Sequence, residues 1–207
     1  MKKIVFTLAV SIFLFQLAGV SQVKVGILGG VSIAKMEGNI HGDGRAGLMA
    51  SLVLDADLGK NFSFYPTLSY VQKGVTEPHP AGTLIDKQFV ALRYAELSTN
   101  FIYHIGDRDG TSFFLGLGPS IDFNLPSKRT SVTDDTKTSS DILFGPTPEN
   151  DLKGVDFGAN VVLGWRSPSG FAFTLNWNKG IRDLKVEGQT LETKNQYIGI
   201  QIGMFIK

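Results

Sequence analysis

From residue 23 onward, apolar and polar side chains alternate with a period of two along nearly the whole chain. Such alternation over several residues is typical of a β-strand with two different faces. Eight runs show it, and they cover residues 23–34, 48–58, 62–70, 94–103, 112–123, 155–166, 171–178 and 197–204. No convincing stripe with the 3.6-residue period of an amphipathic helix is present. The pattern therefore predicts an all-β chain with eight strands.

The segments between these runs alternate between short and long. The short ones, at 59–61, 106–110 and 167–170, contain the Gly, Asn, Asp and Pro residues that are typical of tight turns. The long ones are polar and cover residues 35–44, 75–88, 126–153 and 179–193. Antiparallel neighbours place every second connection at the same end of the sheet. One end is therefore expected to carry the short turns and the other end the long loops. Transmembrane barrels have this asymmetry, with short periplasmic turns and long external loops.

The composition of the two strand faces indicates which one points outward. One face is aliphatic and aromatic and nearly free of charge, whereas the other is mostly Gly, Ser, Thr and Asn. Small residues suit the narrow interior of an eight-stranded barrel, and a cation at mid-depth on a lipid-facing surface would cost about 2–4 kcal/mol. We therefore predict an eight-stranded antiparallel up-and-down transmembrane β-barrel with its apolar face toward lipid. The alternative is a soluble periplasmic β-barrel that binds an apolar ligand inside.

Particular residues test this prediction at the ends and in the middle of the strands. Four aromatic residues of the apolar face predict girdles at the two membrane interfaces: Tyr103 and Trp165 beside short turns, Tyr70 and Trp177 beside long loops. Pro66 and Pro119 interrupt two runs. Proline cannot donate a hydrogen bond to a neighbouring strand, so we expect a local bulge at each position.

The first residues are not expected to belong to the barrel. Lys2 and Lys3 precede an apolar stretch at 4–15 that is too short for a membrane-spanning helix, which needs about 20 residues. The small residues Gly19 and Ser21 stand just before Gln22, as at a signal-peptidase cleavage site. We therefore expect residues 1–21 to be a secretory signal peptide and residues 22–207 to form a single barrel domain.

Composition narrows the chemistry of the chain. The 207 residues include no cysteine, which excludes disulfides, thiolate metal sites and cysteine nucleophiles. The formal net charge of +1 provides no basic field for nucleic acid, so no nucleic-acid partner is expected. Charged residues make up 19 %, against about 25 % in an average soluble domain. This low share agrees with a lipid-facing belt.

Four segments resemble PorT-family outer-membrane β-barrels. They read VKVGILGG at 23–30, FYPTLSYVQKG at 64–74, DFG at 156–158 followed by Gly164, and NWNKGI at 176–181. Thr67 stands where the family usually has Glu. The chain also departs from such barrels at its C-terminus, where Phe205 is followed by Ile206 and Lys207 rather than being terminal. The resemblance covers the mature chain and implies an integral outer-membrane location in a Gram-negative cell. Some members of the family take part in protein secretion and gliding.

The sequence does not place a catalytic group. His41 and His79 fall in the first two long loops, and His104 is expected near the opposite rim, facing the lumen. Nucleophilic catalysis needs a base held within about 3 Å of its nucleophile, and the spacing predicts no such pair. We therefore expect no enzyme activity, no catalytic, cofactor-binding or metal-binding residue, and no cofactor. The alternative is a lipid-modifying or proteolytic barrel enzyme that uses His41 or His79.

Two sets of charged residues receive a structural interpretation. Asp134, Asp135 and Asp141 offer the oxygen ligands that Ca²⁺ prefers, but the fixed spacing of a Ca²⁺ loop is absent, so a mobile solvated loop is expected. Six charged residues on the lumenal face are expected to form pairs inside a closed lumen rather than an ion path: Lys24, Asp55, Glu96, Asp122, Asp156 and Arg166. An eight-stranded barrel leaves little room for a channel.

The sequence thus predicts an outer-membrane protein with a structural, adhesive or accessory role that depends on its external loops. The expected partners are outer-membrane lipids and, during biogenesis, the barrel assembly machinery. A protein partner is expected at the loops covering residues 35–44, 75–88, 126–153 and 179–193.

Overall fold

The computed structural model describes residues 23–37, 42–78, 80, 83–107, 110–188 and 192–206. The expected signal peptide at 1–21 and the loop histidines His41 and His79 lie outside these residues. In the part of the chain described, no helix is long and apolar enough to cross a membrane.

Nine antiparallel β-strands form in the described residues. They are β1 (Val23–Glu37), β2 (Asp43–Gly59), β3 (Phe62–Pro78), β4 (Lys87–Gly106), β5 (Ser112–Thr133), β6 (Thr136–Asp141), β7 (Val155–Arg166), β8 (Phe171–Gly180) and β9 (Lys194–Ile206). Each strand pairs with its neighbour in the order β4-β3-β2-β1-β9-β8-β7-β5-β6, and a further β4–β5 pairing closes the ring. Eight strands therefore make an up-and-down barrel, as predicted, and β6 pairs with the part of β5 that extends beyond β7.

The strands are longer than the alternation predicted, and one predicted loop is wrong. Residues 126–133 continue β5, and β6 folds back on them, with Lys128 opposite Asp141 and Thr133 opposite Thr136. β1, β3 and β4 likewise extend into residues expected to be loop. These extensions mix charged and polar residues with the buried apolar residues Met36, Val75, Val90 and Leu92, so the contrast between an apolar face and a small polar face that marks the rest of each strand is missing there. We call the β5–β6 extension the arm.

The two ends of the barrel differ, and we name them the turn end and the loop end. The turn end carries the tight connections, where Lys60 and Asn61 adopt positive φ angles of 47° and 69°. Two such residues in succession make the type I′ turn that matches the twist of a hairpin. The loop end carries the long connections and the arm.

The apolar face points outward, as predicted. On β5, for example, Leu117 is 67 % exposed, whereas its neighbour Gly116 is buried and so is Ser120. The soluble barrel with an apolar, ligand-binding interior does not fit this arrangement. The lumen is nevertheless less polar than expected, because a buried apolar cluster lies within it: Leu28, Val53, Tyr65, Ile102, Phe114, Val162, Ala172 and Phe205.

Aromatic residues mark both ends of the outward face. Near the turn end, Phe62 and Tyr103 pack with their ring centroids 5.2 Å apart, and Trp165 meets Phe171 edge-on at 6.3 Å. Near the loop end, Trp177 is exposed on the outward face, where the sequence placed it.

The prediction of bulges at the two prolines is wrong. The register shifts of the barrel fall between Gly44 and Met49, Asp57 and Gly59, and Ala91 and Arg93. Pro66 pairs with Thr99 and Pro119 with Ala159, each in an unshifted register. A proline leaves one ladder bond unmade on one side, and the strand on its other side holds the register.

The last strand also keeps its register. β9 pairs with β1 and β8 with no shift, and Phe205 lies opposite Gly26 with its ring buried in the lumen. Its backbone N–H donates to the Gly170 carbonyl at 2.8 Å. The lumenal position of Phe205 therefore follows directly from strand parity.

Candidate functional site

Four buried polar residues meet inside the turn end of the barrel. We call Asp55, Ser63, His104 and Arg166 the turn-end cluster; they come from β2, β3, β4 and β7. The Arg166 Nη1 donates to the Asp55 Oδ2 at 2.6 Å, and the His104 Nε2 lies 2.8 Å from the Ser63 Oγ. Asp55 and Arg166 are two of the six charged residues that were expected to form pairs within the lumen, and they pair with each other. His104 lies in the lumen near this rim, as expected.

The contact between His104 and Ser63 is the kind of base–nucleophile pair that the sequence did not indicate. In a catalytic triad the carboxylate binds the imidazole nitrogen that faces away from the serine. Here the Asp55 Oδ1 lies 4.0 Å from the same Nε2 that contacts Ser63. Both Ser63 and His104 are 0 % exposed. The arrangement is therefore a buried polar contact without access for a substrate.

An aromatic layer separates this cluster from the rest of the lumen. The Tyr65 ring lies 6.0 Å from that of Phe114 and 6.1 Å from that of Phe205. The Arg166 guanidinium stacks 5.1 Å from the Phe205 ring. The inward Phe205 thus shields the ion pair from water, which strengthens its electrostatic attraction.

Uncharged polar side chains fill the middle of the lumen. The Ser51 and Ser69 hydroxyls lie 2.8 Å apart, and the Gln201 Nε2 donates to the Ser51 Oγ at 2.9 Å. On the opposite wall, the Asn178 Nδ2 donates to the Ser120 Oγ at 2.7 Å. The cavity left in this layer measures about 10 Å³, which is room for about one water molecule. The described lumen therefore offers no continuous channel.

A second charged group lies in the lumen nearer the loop end. We call Lys73, Glu96, Asp122 and Asp156 the loop-end cluster. The Lys73 Nζ lies 2.7 Å from the Asp122 Oδ2 and 3.4 Å from the Glu96 Oε2, and all three side chains are buried. Asp156 stands directly opposite Asp122 in the ladder between β7 and β5. One ammonium group therefore faces three carboxyl groups.

Two tyrosines complete the surroundings of Lys73. Its ammonium group lies 4.7 Å from the centre of the Tyr197 ring and 5.2 Å from that of Tyr94. The Tyr197 hydroxyl donates to the Glu96 Oε1 at 2.7 Å. These contacts tie β3, β4, β5 and β9 together at one level of the barrel.

The sequence predicted the carboxylates of this cluster but missed their cation. Lys73 has lumenal parity, yet it lies beyond Tyr70, where the recognised apolar alternation of the third run stops. Extending the parity by three residues would have placed it in the lumen. The sixth predicted lumenal charge, Lys24, is half-buried and stands opposite Asp55 in the ladder between β1 and β2.

The loop end of the lumen is closed by buried apolar side chains. This cap combines inward residues of β1, β3 and β4 with residues from two connections: Met36, Val75, Val90, Leu92, Tyr94, Ile142, Leu152 and Leu184, with Phe144 packed against them. Leu184 is 0 % exposed. The connections expected to be long and polar therefore supply apolar residues that fold over the barrel.

Backbone hydrogen bonds fix the cap in place. The Lys153 N–H donates to the Leu184 carbonyl at 2.9 Å, and the Leu184 N–H donates to the Thr193 carbonyl at 2.8 Å. The Asp183 Oδ1 accepts from the N–H groups of Thr193 and Lys185 at 2.8 and 3.1 Å. Burial alone would raise the pKa of the Asp183 carboxyl, but these hydrogen bonds and the Lys185 ammonium lower that pKa overall.

The arm is highly exposed at the loop end. All six residues of β6 are exposed, and the turn before it is made by Asp134 and Asp135 with φ angles of 46° and 63°. Asp141, the third acidic residue considered for Ca²⁺, lies at the far end of β6 opposite Lys128. The hairpin therefore holds Asp141 apart from the other two. Among the described residues, no group of three or more side chains suited to a metal ion is found.

The chain is similar to several solved structures along most of its length. Among solved structures it is similar to Ail, the attachment invasion locus protein of Yersinia pestis, at 10 % identity over 89 % of this chain and 99 % of that chain, with a TM-score of 0.49. It is similar to Neisserial surface protein A at 10 % identity over 90 % and 98 %, with a TM-score of 0.46. It is also similar to the outer membrane enzyme PagL at 13 % identity over 87 % and 98 %, with a TM-score of 0.42.

At the level of sequence, the chain matches a family model. No curated protein sequence matches the chain. A family model described as "Outer membrane protein beta-barrel domain" matches residues 16–186, which is well over half of the chain.

Proposed function

This chain belongs to the outer membrane protein β-barrel domain family and lies in the outer membrane, and we propose that it is a closed, non-catalytic platform there. Its role is structural, adhesive or accessory, and a macromolecular partner binds at the loop end. The observation that carries this proposal is the contrast between a filled, capped lumen and an arm whose outer strand, β6, is exposed along its whole length.

The lumen supports a role outside the barrel rather than inside it. The two charged clusters and the layer between them fill its interior, and the cap closes its loop end. A channel or an internal ligand site would require space that side chains occupy. The arm, in contrast, presents β6 with every residue exposed. In outer-membrane barrels the long loops face the exterior, so the arm would meet partners outside the cell.

We further propose that the chain is a PorT-family protein of a Gram-negative cell, exported by residues 1–21. The support is the resemblance of four segments, and the structure gives one of them a role. The segment at 64–74 contains Lys73, the cation of the loop-end cluster, followed by Gly74 with a φ angle of 135°. An accessory part in secretion is the role that this resemblance favours.

The alternative proposal is a lipid-modifying or proteolytic enzyme. The contact between His104 and Ser63 is the observation in its favour, but both side chains are inaccessible. His41 and His79 lie outside the described residues and remain predictions. Replacing all three histidines by Gln should leave the lipid and peptide products of the purified protein unchanged, and loss of a product would establish the enzyme.

Photo-crosslinking in intact cells of the source organism tests the platform directly. A photoreactive amino acid placed at Thr138 in β6 should give a protein adduct of defined mass. The same residue at Lys60, in a turn at the opposite end, should not give that adduct. A variant in which Asn-Gly replaces residues 129–140 should also fail to capture the partner through probes elsewhere at the loop end. Absence of a protein adduct at Thr138, or an identical adduct at Lys60, would overturn the proposal.

A further inference from the structure

The outward face contains a groove of about 460 Å³. Its outward lining comes from five neighbouring strands, β1 to β5, and consists of Ile27, Ala50, Leu52, Leu68, Tyr70, Ala95 and Leu125. Small side chains make the recess, because Gly29 stands opposite Ala50 and Ala95 stands opposite Tyr70. Leu52 and Leu68 stand opposite each other on β2 and β3, and both are exposed beside the recess, on its side nearer the turn end. The groove is therefore a depression in the apolar surface that the family places against lipid.

A cation lies at the end of the groove nearer the loop end. Arg93 precedes Ala95 by two residues on the same face of β4 and stands opposite Leu125 of β5 and Gln72 of β3. Its Nη1 donates to the Pro126 carbonyl at 3.3 Å, which holds the guanidinium at this rim. Among the described residues, no carboxylate forms an ion pair with Arg93. The neighbouring Gln72 Nε2 donates to the Tyr70 hydroxyl at 2.9 Å, so the rim is polar where the groove is apolar.

We propose that this groove binds an acyl chain of a phosphate-bearing membrane lipid, with the lipid phosphate at Arg93. The apolar floor matches hydrocarbon, and a guanidinium binds phosphate through paired N–H donors. The site would also orient a lipid as the membrane does: the charged headgroup would lie at Arg93, nearer the loop end, and the acyl chain would extend toward the middle of the apolar belt. A protein partner would have to displace lipid along the whole groove, so lipid is the occupant that the position favours.

Lys179 provides a matched comparison for Arg93. It lies on the outward side of β8, two residues beyond Trp177, and its ammonium group is 4.0 Å from the Glu37 carboxylate. Trp177 stands opposite Val161 of β7 and Ile198 of β9, and both Trp177 and Ile198 are exposed. Large side chains therefore occupy the surface below Lys179. A rim cation without a groove should attract anionic headgroups only weakly.

Native mass spectrometry of the purified barrel in detergent tests the proposal. Phosphatidylglycerol and phosphatidylcholine with identical acyl chains are added in equal amounts. Both carry a phosphate, but the phosphate charge is left uncompensated in phosphatidylglycerol and is neutralised by the choline in phosphatidylcholine. The unmodified protein should retain about fivefold more phosphatidylglycerol, as expected for one interfacial cation. Arg93→Gln should bring retention down to the phosphatidylcholine level, and Ala95→Leu, which fills the groove, should lower retention of both lipids.

Lys179→Gln is the control and should keep the ratio of the unmodified protein. Each variant is first checked for heat-modifiable migration on gels, which shows that the barrel is folded. Equal retention of the two lipids by the unmodified protein would overturn the proposal. So would a Lys179→Gln effect as large as that of Arg93→Gln, because the rim would then attract anions without a specific site.

Discussion

The two charged clusters inside this barrel are built differently. At the turn end, Asp55 faces the Arg166 guanidinium at 2.6 Å, and uncharged Ser63 lies beside His104. At the loop end, Lys73 faces three carboxyl groups, two of them within 3.4 Å of its ammonium. The turn-end charges match one to one, whereas the loop-end acids share a single cation.

This difference implies that the two clusters have different structural roles. A buried ion pair contributes little net stability, but removing one partner leaves an uncompensated charge that is costly. The turn-end pair is a self-contained part of the scaffold. In the loop-end cluster, the Lys73 side chain links β3 to β4 and β5 beneath the cap through its contacts with Glu96 and Asp122.

The largest effect is expected from Lys73→Met. It leaves the carboxyl groups of Glu96, Asp122 and Asp156 buried without their cation, so the free energy of unfolding should fall by about 3–5 kcal/mol. Urea unfolding of the protein in micelles measures this loss. The control is Lys179→Met on the outer rim, whose exposed ion pair should contribute at most about 1 kcal/mol. Equal losses for the two variants would show that Lys73 does not hold the cluster.

A double-mutant cycle at the turn end should show a smaller loss in the free energy of unfolding than Lys73→Met. Arg166→Met alone should lower the free energy of unfolding by about 3 kcal/mol, because Asp55 then lacks its partner. Adding Asp55→Leu should restore most of that loss, since the pair is then replaced by apolar side chains of similar size. The same urea titration applies. If the double variant lost the sum of the two single-variant losses, Asp55 and Arg166 would not form a self-contained pair.

A truncation in the cap should lower the free energy of unfolding by less than either substitution in the charged clusters. Leu184→Ala removes a fully buried side chain at the mouth of the barrel, and we expect a loss of about 2 kcal/mol, at the low end for such truncations. Hydrogen exchange of the Lys153 and Leu184 amides measures the opening of the cap. Leu143 lies in the same region but is 54 % exposed, so Leu143→Ala should leave exchange unchanged. Equal exchange in the two variants would mean that Leu184 does not close the lumen.

The smallest effect concerns the pH dependence of the cap. The pKa of Asp183 is lowered from its ordinary value of 3.8. The stabilisation that its carboxylate gives to the cap is therefore fully present above pH 3.8. It is lost as the pH falls through the lowered pKa. The Thr193 amide resonance should therefore stay constant down to about pH 4 and move below it. Asp183→Asn should abolish this movement, whereas Glu187→Gln should not, and a transition near pH 6 in the unmodified protein would contradict the assignment.

The sequence allowed the barrel to be predicted because its strands have two chemically different faces. Leu117 and Gly116 differ so strongly that parity alone gives their orientation, and the same parity places Asp55, Glu96 and Phe205 in the lumen. The arm could not be predicted, since Thr136 and Ser139 lie where neither face contacts an apolar surface. The closed loop end was missed because Leu184 and Val186 alternate with charged residues in a short segment, and long-range packing alone gives Leu184 its buried position in the cap.

The charged clusters show the same limit. Parity identified the carboxylates, but the partner of each depends on which strands meet across the lumen. Ser63 and His104 are 41 residues apart in the sequence, and Lys73 and Asp122 are 49 apart. No local spacing connects such residues. Ring closure and register bring them together.

Cysteine labelling tests the central claim most directly, and the absence of native cysteine makes it clean. Three single variants, Ser98→Cys in the lumen, Leu117→Cys on the lipid face and Ser139→Cys in the arm, are reconstituted in liposomes and exposed to a membrane-impermeant maleimide. The account predicts rapid labelling of Ser139→Cys and none of the other two, with Leu117→Cys reacting only with a lipid-soluble reagent. Labelling of Ser98→Cys at the rate of Ser139→Cys would show an open lumen and contradict the account.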